Sequence, residues 1–191
     1  MARVSLRPLW LTLTILGARI TGETKSKMEW LATCHGDGNL LQLKDFFLCP
    51  ADCVDDLPDR IEPNTQYFSL FIAMDARRLD DGTVLQAAKR LLSNGLARVC
   101  AWGPNCERVR DIFDVAAREM NDELSGDDVI MTSWHANESL EEALWFFVHS
   151  AVVSTKFEKT CTDWVLAPIA NPGWEQLMRS RIQDIITVSR L

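Results

Sequence analysis

The sequence predicts an α/β fold: a three-layer arrangement of an open, mostly parallel four-stranded sheet with flanking helices, plus an irregular N-terminal arm. After residue 66, short and nearly continuous apolar runs alternate four times with segments whose apolar residues recur at helical spacing. The connections between these segments are short, which favours parallel strands joined by right-handed crossovers. Four strands are too few to close a barrel, and the sheet is therefore predicted to be open.

The element boundaries follow from local start and stop signals. The four predicted strands cover residues 67–74, 96–102, 128–133 and 164–169. The four predicted helices begin at residue types that favour helix N-termini, namely Asp80, Pro104, Ser139 and Asn171. Pro104 suits a first helical turn because its missing N–H costs nothing there, and Ser139 forms a capping-box pattern with Glu142.

The chain is predicted to consist of three segments. These are an extension over residues 1–27, an irregular arm over residues 28–65 and the α/β domain over residues 66–191. Turn signals and proline breaks dominate the arm, which is expected to hold short elements and loops packed on the domain.

The extension has features of a signal peptide. Arg3 and Arg7 precede an apolar stretch over residues 9–18, which is too short to span a bilayer, and the small-residue cleavage site expected after it is poor. Three interpretations stay open. In the first, residues 1–22 act as a signal peptide and the protein is exported. In the second, the segment before Met28 is a spurious or dispensable extension. In the third, that segment is ordered structure.

Composition restricts the partners. The chain has 191 residues, of which 47% are apolar and 25% charged, and its formal net charge is −7. This acidity argues against nucleic acid and against an anionic membrane surface, because both need clustered Lys and Arg. A small molecule or a protein of unknown identity is the expected partner. Residues 119–155 carry many acidic residues and no Lys or Arg, which indicates either a solvated face or a docking surface for a basic partner.

The six cysteines are too sparse for a scaffold built on disulfides, and some of them lie within apolar runs. We expect mostly reduced thiols and a cytoplasmic location. Zinc ligation by Cys34, His35, Cys49 and Cys53 is a weak alternative, because an adjacent Cys and His rarely both bind the metal. No metal site is therefore predicted.

Motifs that bind cofactors or supply a serine nucleophile are missing from the sequence. It has no P-loop, no complete dinucleotide fingerprint and no Gly-x-Ser-x-Gly elbow. No cofactor is predicted.

The candidate site is the edge of the sheet where the parallel strands end, since open α/β sheets bind ligands there. The candidate ligand-binding residues lie at the ends of the four predicted strands or just after them. They are Asp75, Trp102, Gly103, Asn105, Trp134, Asn137 and Asn171.

Cys106 and His135 are the candidate catalytic residues. A helix beginning at Pro104 would aim free N–H groups at this edge and lower the pKa of Cys106. His135, after the next strand, would then serve as its general base. The alternative is a capped turn with a half-buried cysteine and a structural histidine.

Two function hypotheses follow. The absence of any complete catalytic motif favours a non-catalytic binding or interaction module. The alternative is a small enzyme that uses the Cys106–His135 pair for acyl or thiol transfer.

Two motifs carry a family resemblance. They are CAWGPNCE, which ends at Glu107, and MTSWHANESLEEALWFF, which begins at Met131. Together they resemble a family of small bacterial proteins of unknown function, over about residues 66–180. The resemblance supports the domain boundary, and it implies no activity and no catalytic residue.

Overall fold

The fold was established from a computed structural model, which describes residues 28–35, 43–58, 65–120 and 128–188. The predicted extension over residues 1–27 lies outside the described residues. So do the turn predicted within the arm at residues 36–39, the end of the arm at residues 62–64 and part of the acidic stretch.

The described chain contains six strands and four helices. The strands are β1 (Glu29–His35), β2 (Leu43–Leu48), β3 (Phe68–Ala73), β4 (Leu96–Trp102), β5 (Met131–His135) and β6 (Asp163–Pro168). The helices are α1 (Asp81–Ser93), α2 (Cys106–Met120), α3 (Leu140–His149) and α4 (Pro172–Val188). Short 3₁₀ turns cover Val54–Asp56 and Ala76–Arg78.

All six strands form one sheet in the order β1-β2-β6-β3-β4-β5. The four strands predicted from the sequence, β3 to β6, are mutually parallel. β2 is also parallel to β6, and only β1 runs antiparallel, against β2. The prediction of a mostly parallel α/β sheet is confirmed.

The predicted count of four strands is wrong, because the arm supplies β1 and β2. β2 was missed because Lys44 and Asp45 interrupt its apolar run. Both polar side chains have tertiary partners that a sequence does not show: Lys44 donates to the carbonyl of Val148, and Asp45 accepts from the hydroxyl of Thr33.

Alternating side chains of the strands give the sheet two apolar faces. On one face, Leu70, Ile72 and Val99 pack with residues of α1 and α2. On the other, Phe71, Cys100 and Trp164 pack with residues of α3 and α4, including a tilted contact between Phe71 and Phe147. The predicted three layers are thus present, with two helices on each face.

The strand order reverses direction beside β3. From β3 the chain moves outward through β4 to β5, and it then returns to place β6 on the other side of β3. The carboxyl ends of β3 and β6 therefore form a topological switch point, where the connections leaving two neighbouring strands diverge and open a crevice.

Helix α3 begins with the predicted capping box. The hydroxyl of Ser139 accepts from the N–H of Glu142, and the Glu142 carboxylate accepts from the N–H of Ser139 at 2.7 Å. We expect Ser139→Ala to destabilise the protein by about 1 kcal/mol, lowering the melting temperature by about 2–4 °C.

Ser93→Ala is the matched control for this change. Ser93 is exposed, and its hydroxyl donates to the Lys89 carbonyl within α1, so its removal should leave the melting temperature within about 1 °C. Equal effects of the two substitutions would show that the capping box contributes nothing specific.

Candidate functional site

A cleft of about 440 Å³ opens at the switch point. One wall follows β3 and the other follows β6, and a third side comes from the segment after β2. The lining residues are Asp52, Cys53, Met74, Asp75, Arg77, Leu79, Pro104, Ile169, Ala170, Asn171 and Trp174. Two predicted ligand-binding residues, Asp75 and Asn171, therefore face each other across one cavity.

The β3 wall is built by Asp75 and Arg77. The Asp75 carboxylate caps the 3₁₀ turn by accepting from the backbone N–H of Arg77, and it also accepts two bonds from the Arg77 guanidinium. These bonds lower the pKa of Asp75 to about 2. The carboxylate is therefore ionised at any physiological pH, and the rim of the cleft carries a fixed ion pair.

The β6 wall is built by the start of α4. The Asn171 side chain accepts from the N–H of Trp174 at 3.1 Å and so caps the helix. Before it, Ala170 adopts a left-handed φ of 52°, and its N–H bonds to the carbonyl of Ala51. This strained turn aims the helix start at the cleft, and it joins the β6 wall to the segment after β2.

Trp102 lies next to the cleft rather than in its lining. Its ring meets that of Trp174 edge to face, with centroids 5.2 Å apart, and its indole N–H donates to the carbonyl of Glu138. The predicted residue Trp102 therefore positions the indole that lines the cleft.

Gly103 brings the loop after β4 into contact with the end of β3. Its φ is 112°, and a Cβ at this position would lie 2.5 Å from the carbonyl oxygen of Met74. The N–H groups of Met74 and Ala76 donate to the carbonyls of Trp102 and Pro104, respectively. Gly103 thus shapes the floor of the cleft through its backbone.

The predicted start of α2 at Pro104 is wrong, because the helix begins at Cys106. Asn105 is exposed and adopts a φ of 65°, and a turn bond from the N–H of Cys106 to the carbonyl of Gly103 takes the first donor of the helix. The N–H of Cys106 expected at the sheet edge is therefore already occupied.

Cys106 is fully buried and packs in the cluster beneath α1 and α2. Burial raises the pKa of the Cys106 thiol, although hydrogen bonds from nearby backbone groups, including that of His135, oppose the shift. The direction expected for this pKa is thus reversed, because the loss of water on burial outweighs the hydrogen bonds from backbone groups.

His135 faces the opposite layer. Its ring contacts Phe146 of α3 with centroids 4.6 Å apart, and its Nδ1 lies 2.8 Å from a carboxylate oxygen of Glu138. Glu138 is thus an acidic partner that orients the imidazole. The structure does not bring the two candidate catalytic side chains together, since Cys106 packs under α2 and His135 against α3.

Trp134 and Asn137 lie away from the cleft, at the end of the edge strand β5. Trp134 is 43% exposed, and the guanidinium of Arg110 stacks 4.0 Å from its ring centroid. Asn137 is exposed in the turn before α3. Since β4 separates β5 from β3, neither residue lines the cavity at the switch point.

Asp52, Cys53 and Trp174 are among the lining residues that the sequence did not identify as site residues. The first two belong to the arm, which a bridge between Ala51 and Ile169 brings to the end of β6. Trp174 follows the Asn171-Pro172 helix start, and its position three residues after the cap was the one available signal.

Other classes of site have no counterpart in the described ranges. No group of three or more His, Cys, Asp or Glu residues is placed to hold a metal ion there. Of the helices in that part of the chain, none is both long and apolar enough to cross a membrane.

Most of the chain matches one protein family. A family described as Domain of unknown function (DUF7684) matches residues 47–185, which is more than half of the chain. The chain belongs to this family. The matched part of this DUF7684 domain spans the end of β2 through most of α4, and it contains every residue of the cleft.

The match confirms the resemblance to a family without an assigned activity. No curated protein matches the chain.

Proposed function

We propose that this domain is a non-catalytic binding module and that its ligand is a small molecule held in the cleft at the switch point. The position of the cleft carries this proposal, because open α/β sheets bind ligands where the connections leaving adjacent strands diverge. Its volume of about 440 Å³ falls within the range of about 300–1,000 Å³ that ligand pockets occupy.

The lining favours a ligand with a flat, apolar body. Met74, Leu79 and Ile169 supply an apolar floor, and the Trp174 indole supplies an aromatic wall. Aromatic rings stack well on such a surface and bury a large area at a small entropic cost. An aromatic ring is therefore the part of the ligand that would contribute most of the affinity.

The rim favours a neutral or positively charged polar end. It carries the carboxylates of Asp52 and Asp75 and one guanidinium, from Arg77, which already neutralises Asp75. The remaining uncompensated charge is negative. Polyanionic ligands such as nucleotides would meet repulsion here, whereas an amine would find a counter-charge in Asp52.

The enzyme hypothesis with Cys106 and His135 gains no support from the placement of these residues. A thiolate–imidazole pair requires direct contact in an accessible site. One member is sealed beneath α2 and the other faces α3.

A reducing, cytoplasmic location agrees with the state of the thiols. The six cysteines all lie in the described ranges and form no disulfides, and five of them are buried. Oxidation would expose or distort the core around them, so a compartment that keeps thiols reduced suits the fold.

Saturation-transfer NMR with a library of ring-bearing amines and matched neutral compounds would test the proposed function. We expect hits that bind the native chain and lose their signal once Cys53, at the cleft rim, carries an N-ethylmaleimide group. Trp174→Ala should weaken the same hits by about tenfold, which corresponds to one lost aromatic contact.

Trp145→Ala provides the matched control. Trp145 is 48% exposed on α3, and it contacts His149 rather than the cleft, so its loss should leave the hits unchanged. Hits that persist after Cys53 is blocked, or that respond equally to both tryptophan variants, would overturn the assignment of the cleft.

A further inference from the structure

The face of the sheet beneath α3 contains a buried polar row far from the cleft. In the strand register, Ser69 of β3 pairs with Arg98 of β4 on one side and with Trp164 of β6 on the other. Arg98 and Trp164 are 3% and 1% exposed, and Ser69 is fully buried. A small side chain therefore lies between two large ones, each of which carries hydrogen-bond donors.

Two positive charges lie in this region, the buried charge of Arg98 and the half-buried charge of Lys44. Arg98 donates to the carbonyl of Val152 and to the hydroxyl of Ser133. Lys44 donates to the carbonyl of Val148 at 2.9 Å, and its Nζ lies 3.8 Å from the centroid of the Trp164 ring. Burial lowers the pKa of both groups, and the charge of Arg98 contributes to the shift at Lys44.

Neither cation has an acidic counter-charge in the parts of the chain that the structure describes. Their hydrogen bonds go to the carbonyls of Val148 and Val152 and to the hydroxyl of Ser133, all of which are neutral acceptors. Burial raises the pKa of Cys161 to about 11 and that of Cys100 to about 12, so both thiols are neutral at physiological pH. Because the pKa of Lys44 is about 8, its ammonium is mostly protonated at neutral pH.

The carboxyl end of α3 compensates these charges only in part. It presents the Val148 carbonyl to Lys44, but a helix terminus is equivalent to about half an elementary charge. Among the described residues, the buried charge of Arg98 therefore has no full negative charge to balance it, and the half-buried Lys44 adds a second positive charge nearby. An uncompensated buried charge of this kind is strongly unfavourable.

The same region also contains hydrogen-bond donors that lack an acceptor. Among the described residues, Nε of Arg98 and Nε1 of Trp164 are buried atoms without a hydrogen-bond partner. Neither atom can accept a hydrogen bond, so only an acceptor satisfies them. Arg98 and Trp164 flank Ser69, whose hydroxyl lies 3.4 Å from the sulfur of Cys161.

We infer that the protein binds a small inorganic monoanion of chloride size over Ser69, between Arg98 and Trp164 and within the field of Lys44. The anion accepts from the two orphan donors and balances the buried charge of Arg98. The bound anion would link Lys44 of β2 with Arg98 of β4, although β6 and β3 lie between these two strands. This site is independent of the cleft and of the proposed function.

Thermal melts of the full chain in chloride and in gluconate, at equal ionic strength and neutral pH, test the inference. Chloride should raise the melting temperature saturably, by about 3 °C or more up to about 0.2 M. Gluconate, which is too large for a site beside one serine, should leave it unchanged. An equal rise in both salts would reflect general screening and would overturn the site.

Variants of Ser69 locate the effect. Ser69→Val places methyl groups where the anion would bind and should abolish the chloride response. Ser69→Ala leaves that space open and should retain the response. Arg181→Gln removes an exposed cation, whose side chain is 52% exposed, and should behave like the native chain. A response that persists in Ser69→Val would place the anion elsewhere and refute the inference.

Chloride NMR gives a second readout that does not depend on any variant folding. The chloride-35 line should broaden in the presence of the native chain and sharpen again when bromide competes for the site. A line width that the protein leaves unchanged would mean that the donors bind water alone, and the inference would fail.

Discussion

Gly103→Ala is expected to destabilise the protein by about 3 kcal/mol or more, lowering the melting temperature by about 6 °C or more. The residue has a φ of 112°, which side chains disfavour, and the new Cβ would lie 2.5 Å from the carbonyl oxygen of Met74. That oxygen belongs to the backbone at the end of β3, so relief requires the loop after β4 and the end of β3 to move apart.

Gly173→Ala is the matched control for Gly103→Ala. Gly173 lies within α4, and the atom nearest to an added methyl group would be the Asn171 side-chain oxygen at 3.2 Å, which has to move by only a few tenths of an ångström and can do so while keeping its bond to the N–H of Trp174. The helix propensity of alanine offsets this small adjustment, so the variant should change the stability by less than about 1 kcal/mol. A Gly103→Ala protein as stable as the Gly173→Ala protein would show that the contact between the two loops is looser than described.

Alkylation with iodoacetamide under native conditions should modify Cys53 alone. Cys53 is exposed at the rim of the cleft, whereas Cys34, Cys49, Cys100, Cys106 and Cys161 are buried. Buried thiols react only when the structure opens, and we expect their labelling to be slower by about a thousandfold or more. Peptide mass spectrometry at timed intervals measures all six rates in one sample.

The reactivity of Cys53 should itself depend on Asp56. The thiol donates to the Asp56 carboxylate at 3.0 Å, and this bond raises the pKa of Cys53. Removing the negative charge with Asp56→Asn should lower that pKa, increase the thiolate fraction at neutral pH and speed the labelling. If Cys106 instead labelled as fast as Cys53 in the native chain, the thiolate hypothesis for Cys106 would regain its basis.

The apolar runs of β3 and β6 identified both strands from the sequence, because central parallel strands are buried on both faces and need no polar alternation. β2 was not predicted in this way, because Lys44 interrupts its apolar run. Its stem and ammonium are accommodated by Trp164 and the Val148 carbonyl, which are far away in sequence. A local pattern cannot contain such partners.

The residues of the candidate site were likewise predictable from the sequence only in part. Asp75 and Asn171 were found because the ends of parallel strands share one edge, whereas Asp52 reaches that edge only through the bridge of Ala51 with Ile169. The start of α2 was misplaced because the left-handed turn at Asn105 is set by contacts with the end of β3. Tertiary contacts decided each of these points.

The position of β6 has a consequence for synthesis on the ribosome. Of the six described strands this one comes last in sequence, yet it lies in the interior of the sheet, with β2 and β3 as its direct neighbours. Until residues 163–168 have left the exit tunnel, β2 has no strand to pair with on that side, and the backbone N–H and C=O groups along one edge of β3 stay unpaired. The sheet between β2 and β3 therefore forms only late in translation. During that interval the nascent chain is expected to bind chaperones that shield unpaired strands.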